Sequence, residues 1–516
     1  MNRTSRATLS VLMVFTLQCL PSLAQRRAAK RPAPPKSVSE RSYERARRVL
    51  DAGVAALGGV EAMRESGDVW VDVKGYSYAR NQSVRVNAPY DAMTRDETLY
   101  IDVRNRRYIV ETRDPLPGGF VFGGKQVISG GQGFFVNPRD RTINPLNLQN
   151  FNNIGIVRRV PHLFLLAAFE NAPSTLRWLG EEVYDGRRHN VLTFASSNGI
   201  AWTLFFDART NLLTKYEQMV SDSLSGDSVQ ETVFPGYRMV GKIKVPTARL
   251  TRRAGELIED VKYTNVRFNT RPPESAFAKP EGFEELPQPS PPAIKETKLG
   301  EGVYLFESAA NALVVEFKDY VLIVEPYVGG RGPKPTINKA REMFPGKPVR
   351  YVVITHHHDD HSGGLRSYIA EGVSIVTTPA NQGYFERMAA GTFTIAPDDQ
   401  ARAPRKPTFE FVPGGGKRVF TDGVQTIEVI DIGPSPHVTE MLVVYLPKEK
   451  LVFQGDLVNL PASGKYAATT VNETTVHFVE WLNRTSLDVR RIAAVHGPST
   501  TLEELRAAVA KSKAAK

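Results

Sequence analysis

Between Val69 and Phe268, apolar and polar residues alternate with a period of two in one short segment after another: VWVDVKGYSY, SVRVN, TLYIDV, RRYIVETR, HNVLTFA, AWTLFFD, LLTKYEQMV, KVPTARLTR and DVKYTNVRF. Alternation puts every second side chain on one face of an extended strand, and the Gly, Asn, Asp and Pro residues between segments supply turns. The stretch therefore predicts an antiparallel sheet. Two patches follow a helical period instead: residues 42 to 64, with Val49, Leu50, Val54 and Leu57 interrupted at Gly58-Gly59, and PHLFLLAAFE over Pro161 to Glu170.

After PEGFEELPQPSPPA, with five prolines in residues 280 to 293, the pattern changes. GVYLFE, ALVVEF, YVLIVEP, RYVVITH, VSIVTT, TIEVIDIG, MLVVYLP, KLVFQGD and IAAVHG are near-continuous apolar runs, as strands covered on both faces require. They alternate with helical segments near 336–343, 363–371, 471–482 and 501–510, which predicts a layered α/β domain. The 516 residues thus divide into a β-rich domain over 42–285, a Pro-rich linker over 286–296 and an α/β domain over 297–516. A chain beginning near Ala293 is expected to fold and hold metal by itself.

The first 24 residues read as a secretory signal peptide, with Arg3 and Arg6, an apolar stretch from Leu9 to Leu20, and Ser22-Leu23-Ala24 before the cut. This predicts a periplasmic or secreted protein. Cys19, the single cysteine, lies inside it, so the mature chain has neither disulfide nor thiolate and any metal must be held by His, Asp and Glu. Residues 25–41 are basic and poor in large apolar residues, and are predicted to be disordered. Residues 1 to 48 carry +9 of the formal +11, leaving +2 for the rest, so no surface for nucleic acid is indicated. Beyond the leader no apolar run is long enough to span a membrane.

The chemistry concentrates in VVITHHHDDHSGG, where His356, His358, Asp360 and His361 form H-x-H-x-D-H between a strand and a helix. His356 and His358 can point the same way from extended backbone, while Asp360 and His361 follow the turn. Four ligand-type residues in six positions can serve two metal ions. His357 and Asp359 alternate with them and should face away. Seven of the nine histidines fall in the last third of the chain. His437 and His496 each follow a predicted strand, as does Asp456, whose two carboxylate oxygens can bridge two ions. His162, His189 and His477 read as surface or partly buried residues.

These residues, with ALVVEFKDYVLIVEP, LPKEKLVFQGDL and the terminal VHG, resemble the metallo-β-lactamase fold superfamily over about residues 297–512. The resemblance implies a four-layer αββα fold with metals at one edge. Carried over by position, His356, His358 and His437 hold a first Zn2+, Asp360, His361 and His496 a second, and Asp456 bridges them, with Asp360 also the catalytic residue that orients water and handles its proton. His358 stands where the di-iron branch has Glu, which favours zinc. Asp456, in place of a thiol or serine, points away from the best-known antibiotic-hydrolysing groups, and Glu325 stands where the family usually has Asp. The implied activity is zinc-dependent hydrolysis of an ester, lactone, thioester or amide. One alternative is a mononuclear iron sulfur dioxygenase of the same fold, and another a non-enzymatic envelope protein that binds lipid or lipoprotein. In the first domain, ALGGVEAM leading into VWVDVKG, then GYRMVGKIKVP, DVKYTNVRFN and ESAFAKPEGF, resemble the periplasmic lipoprotein-carrier half-barrel superfamily. That implies a curved sheet around a helix with an apolar groove, and hence a small apolar substrate.

Overall fold

The computed structural model describes residues 35–149, 151, 153–171, 173–288, 294–326, 334–460 and 471–514. The expected signal peptide, Cys19 and most of the basic segment lie outside the described residues. The end of that segment is ordered. Ser37 caps a helix over Val38–Leu57, its hydroxyl accepting from Glu40 N while the Glu40 carboxylate accepts from Ser37 N, so the predicted disorder does not extend to residue 41.

The first domain is built on a 14-stranded sheet that starts with Val69–Tyr78 at its middle. Its neighbours there pair antiparallel, Ala92–Asp102 on one side and Glu256–Phe268 on the other. Alternate residues Val69, Val71 and Val73 share one face with Leu99, Ile101, Leu204 and Phe206. Helix Val38–Leu57 covers that face with Ala46, Leu50, Val54 and Leu57, at helical spacing, and helix Pro161–Asn171 adds Leu163, Phe164 and Leu165. Phe164 meets Trp202 and Tyr216 with ring centroids 5.3 and 5.2 Å apart, so this helix fills the space against the sheet. His162, at its start, is fully buried, as is His189, whereas His477 is half-buried on helix Glu473–Arg484.

The second domain has four layers. Its first sheet runs in sequence order from Lys295–Gly300 through Val349–Val353 to Phe409–Phe411, and its second from Lys417–Thr421 through Leu451–Gln454 and Arg491–Ala494 to Thr500–Thr501. The domain thus begins two residues earlier than expected, at Lys295, and the middle of the linker is outside the described residues. Residues of opposite parity bury in different places. Leu313, Val315, Leu322 and Val324 pack against Val444, Leu446 and Phe453 between the sheets. Val314 and Ile323 face outward to Ile337, Leu365, Tyr368 and Phe385 on helices of the first side. Val443 and Val452 meet Phe478, Leu482, Leu505 and Val509 on helices of the other. This is the αββα arrangement.

The two domains interlock. Val86 and Leu224, from loops of the first, are buried within the helical layer of the second. SVRVN, expected as a strand, is instead an irregular loop, because its polar groups bond elsewhere. Val84 N donates to the Asp91 carboxylate at 2.8 Å, and Val84 O accepts from Thr439 N of the other domain at 2.9 Å. No helix among the described residues is long and apolar enough to cross a membrane.

Candidate metal centre

Four strand ends of the second domain deliver the polar residues to one edge. Strand Val349–Val353 runs into Ile354 and Thr355, after which His356 and His358 emerge and the short helix Asp359–Ser362 turns Asp360 and His361 back beside them. The loop after Leu451–Gln454 is tightened by Gln454, whose Oε1 accepts from Leu457 N at 2.8 Å and Val458 N at 3.0 Å, and this holds Asp456 in place. Gly455 is needed there, since a Cβ would lie 2.5 Å from Thr355 Oγ1 and 3.1 Å from His356 Nδ1. Asn311 donates to the carbonyls of Ala494 and Gly497, both at 3.0 Å, fixing the turn that carries His496. Ser435 Oγ accepts from His437 N and Val438 N.

All seven residues singled out in the sequence come together in two groups. His356, His358, His437 and Asp456 form one, and Asp360, His361, His496 and Asp456 the other, each with its candidate donor atoms within 4.8 Å of one another. Asp456 is common to both. Its Oδ2 lies 3.3 Å from His361 Nε2 and 3.3 Å from His437 Nε2, while its Oδ1 lies 3.6 Å from His496 Nε2. Asp360 Oδ2 is 3.2 Å from His496 Nε2. His357 and Asp359 belong to neither group. The His357 ring is fully buried and meets Tyr384 edge-on at 5.5 Å. It points away, as expected, but into packing rather than solvent.

The donor set fits metal ions on an observation independent of any relative. Nε2 of His356, His361, His437 and His496, Nδ1 of His358 and Oδ1 of Asp456 are buried without a hydrogen-bond partner. Orphaned polar atoms are costly unless something satisfies them. The opposite ring nitrogens are held: His356 Nδ1 by Thr355 Oγ1 at 3.1 Å, His358 Nε2 by Ser83 O at 2.9 Å, His361 Nδ1 by Glu325 Oε2 at 3.0 Å and His437 Nδ1 by Pro117 O at 3.1 Å. An acceptor on one ring nitrogen fixes the tautomer that leaves the other free to coordinate.

Electrostatics separates the histidines. Burial pushes His356 and His358 well below the usual histidine value, reinforced by neighbouring histidines, so both are neutral as ligation requires. Burial acts the same way on His361 and His496, but the carboxylates of Asp456 and Asp360 outweigh it and raise both, joined at His361 by Glu325. Burial would raise the carboxyls of Asp360 and Asp456, yet the histidines facing them lower both. Both are anionic.

Three contributors were not legible beforehand. Ser83 O and Pro117 O come from the first domain, and Gln82 Nε2 donates to Asp360 Oδ1 at 2.7 Å. Two are backbone carbonyls, which no residue type announces. Gln82 lies between two predicted strands, just before SVRVN, where nothing in the sequence marks it. Glu325, noted only as a departure from the family pattern, has a larger part: Oε1 accepts from Thr355 N at 2.9 Å and Oε2 faces His361, from a backbone held at φ 71°. A non-glycine residue in that left-handed region is strained, and here the strain accompanies a side chain bonded at both oxygens.

With this fold and donor set the second domain is a metallo-β-lactamase-type domain. Residues 305–496, the body of this domain, match the family model of the metallo-beta-lactamase superfamily. A type 2 metallo-beta-lactamase of Elizabethkingia meningoseptica is 27% identical over 180 residues, 32% of this chain and 63% of that protein. A linear primary-alkylsulfatase of a Pseudomonas species is 33% identical over 73 residues, 14% of this chain and 11% of that protein. The chain therefore spans less than two thirds of either relative. Among solved structures, the DIM-1 metallo-beta-lactamase covers 44% of this chain and 99% of its own at 21% identity, with a TM-score of 0.33. A metallo-beta-lactamase from Pontibacter korlensis covers 43% at 21% identity and a TM-score of 0.32.

Proposed function

We propose that this protein is a metal-dependent hydrolase that holds two zinc ions, one by His356, His358 and His437 and one by Asp360, His361 and His496, with Asp456 shared. The observation that carries the reading is the convergence of six orphaned donor atoms on two groups with a common carboxylate. His and carboxylate donors without sulfur suit zinc. When bound, such ions acidify water and polarise the bond to be cleaved. The sharing of Asp456 favours two ions over the single iron of a sulfur dioxygenase.

The chain's own residues have separable tasks. Asp360 has one oxygen held by Gln82 and the other beside His496, so the carboxylate is fixed in direction, orients the attacking water and accepts its proton. Glu325, Ser83 and Pro117 set the histidine rings. We assign the substrate class as esters, lactones, thioesters or amides, and place the protein in the periplasm or outside the cell on its N-terminal leader. Screening zinc-loaded mature protein against generic members of those classes, with phosphodiesters, sulfate esters and β-lactams alongside, tests this. Turnover abolished by Asp360→Asn is the expected result, and oxygen uptake with a thiol persulfide would overturn it.

A further inference from the structure

Five arginines, Arg95, Arg158, Arg159, Arg249 and Arg253, line a cavity of about 230 Å³ in the first domain. Three carboxylates meet them. Glu97, fully buried, pairs with Arg95 at 3.0 Å, Arg249 at 3.2 Å and Arg159; Glu259 pairs with Arg249 at 2.7 Å and Arg95 at 3.1 Å; Asp114 takes Arg95 at 2.9 Å. Asp222 reaches Arg253 only at 3.5 Å and is engaged by Arg80. Arg158 has no carboxylate partner among the described residues and donates to the Tyr216 hydroxyl at 3.0 Å. Arg249, its side chain 4% exposed, keeps a buried Nη1 with no hydrogen-bond partner. Even with Asp222, which Arg80 shares, four negative charges do not neutralise five guanidinium groups, and a buried donor left open costs free energy unless a ligand fills it.

We propose that this cavity is a binding site for the oxyanion of a small molecule, a phosphate, sulfate or carboxylate group gripped by Arg158, Arg249 and Arg253. Planar guanidinium groups match such oxyanions with paired N–H donors. The volume is below the roughly 300–1,000 Å³ of drug-sized sites, so the occupant is small. Burial and the neighbouring Arg249 and Arg158 pull Arg159 below the usual arginine value in spite of Glu97, whereas the carboxylates raise Arg95 and Arg249, so the uncompensated positive charge lies on the Arg158–Arg159 side of the cavity. The site also has an address: Arg95 pairs with Asp114, three residues before Pro117, whose carbonyl faces His437, so one stretch of chain joins the cavity wall to the wall of the metal centre.

Isothermal titration of the full-length protein with inorganic phosphate, and separately with hexanoate, at ionic strength matched with chloride, tests this. It should be run on zinc-loaded protein and on protein stripped of metal and dialysed. Saturable binding of either anion, one per chain, in both metal states supports the proposal, and the tighter of the two tells a free inorganic ion from an organic acid. Arg158→Gln, which breaks no ion pair, should weaken binding by at least about tenfold, and Arg253→Gln serves if that variant melts early. Lys242→Gln, at an exposed cation elsewhere, should change nothing. No saturable binding, binding lost with the metal, or equal affinity in the arginine variants overturns it. Loss with the metal would place the anion at the metal centre and leave the hydrolase reading standing.

Discussion

The side-chain amide of Gln82 donates to Oδ1 of Asp360 at 2.7 Å, joining a loop of the first domain to a carboxylate of the second across 278 positions of sequence. Neighbouring residues on that loop do the same in other ways, Ser83 O at His358 and Val84 O at Thr439. The first domain is thus part of the wall of the metal centre.

Replacing Gln82 should be felt at the metal. Partners of this kind typically contribute about 10- to 100-fold in metal affinity. Gln82→Ala is expected to weaken metal binding at the Asp360, His361 and His496 group by about tenfold in a competitive chelator titration. Gln82→Glu, which sets a second carboxylate against Asp360, should weaken it further. Unchanged affinity in both would remove Gln82 from the account.

The sequence suggested that a chain beginning near Ala293 would hold metal alone. The structure leads to the opposite expectation, since that chain lacks the acceptors for His358 and His437 and uncovers the surface packed by Val86 and Leu224. Such a fragment should bind less than the full complement of metal and expose apolar surface to a hydrophobic dye. Full metal content with no dye binding would refute the interlocked arrangement.

Glu325 joins fold to site. Glu325→Ala leaves Thr355 N and His361 Nδ1 without their acceptor, and each buried group left unsatisfied costs about 1–3 kcal/mol. Urea unfolding should show a loss of about 2–6 kcal/mol for the two groups together, with weaker metal binding. A loss of metal affinity at unchanged stability would assign Glu325 to the metal alone.

Acid sensitivity should come partly from His162. Burial lowers this fully buried ring to about 3 from an ordinary 6.5, so between those values the unfolded chain binds the proton more readily than the folded one. Its contribution is present above pH 6.5 and is lost as pH falls, at up to about 1.4 kcal/mol per pH unit. Unfolding curves at pH 7, 6 and 5 should converge for His162→Leu relative to the parent protein. Equal pH dependence in both would show that the ring is charged in the folded state.

Much of the second domain was legible because its signals are local. Val314 and Val315 alternate between two cores, and H-x-H-x-D-H is a single stretch. His437, Asp456 and His496 were found because each follows an apolar run. The contribution of the first domain was not legible for a physical reason. SVRVN alternates like a strand, but tertiary partners took up its backbone groups, and carbonyls such as those of Ser83 and Pro117 carry no side-chain signature. His162 and His189 differ from the sequence reading for a related reason, since a histidine that packs against aromatic rings looks the same in sequence as an exposed one.

Metal stoichiometry of the purified full-length protein tests the central claim most directly, because two groups sharing Asp456 are what the whole reading rests on. Elemental analysis should find close to two zinc ions per chain, and Asp456→Ala should lose affinity for both. A single iron without zinc, or an Asp456→Ala protein that retains two tightly held ions, would contradict the account.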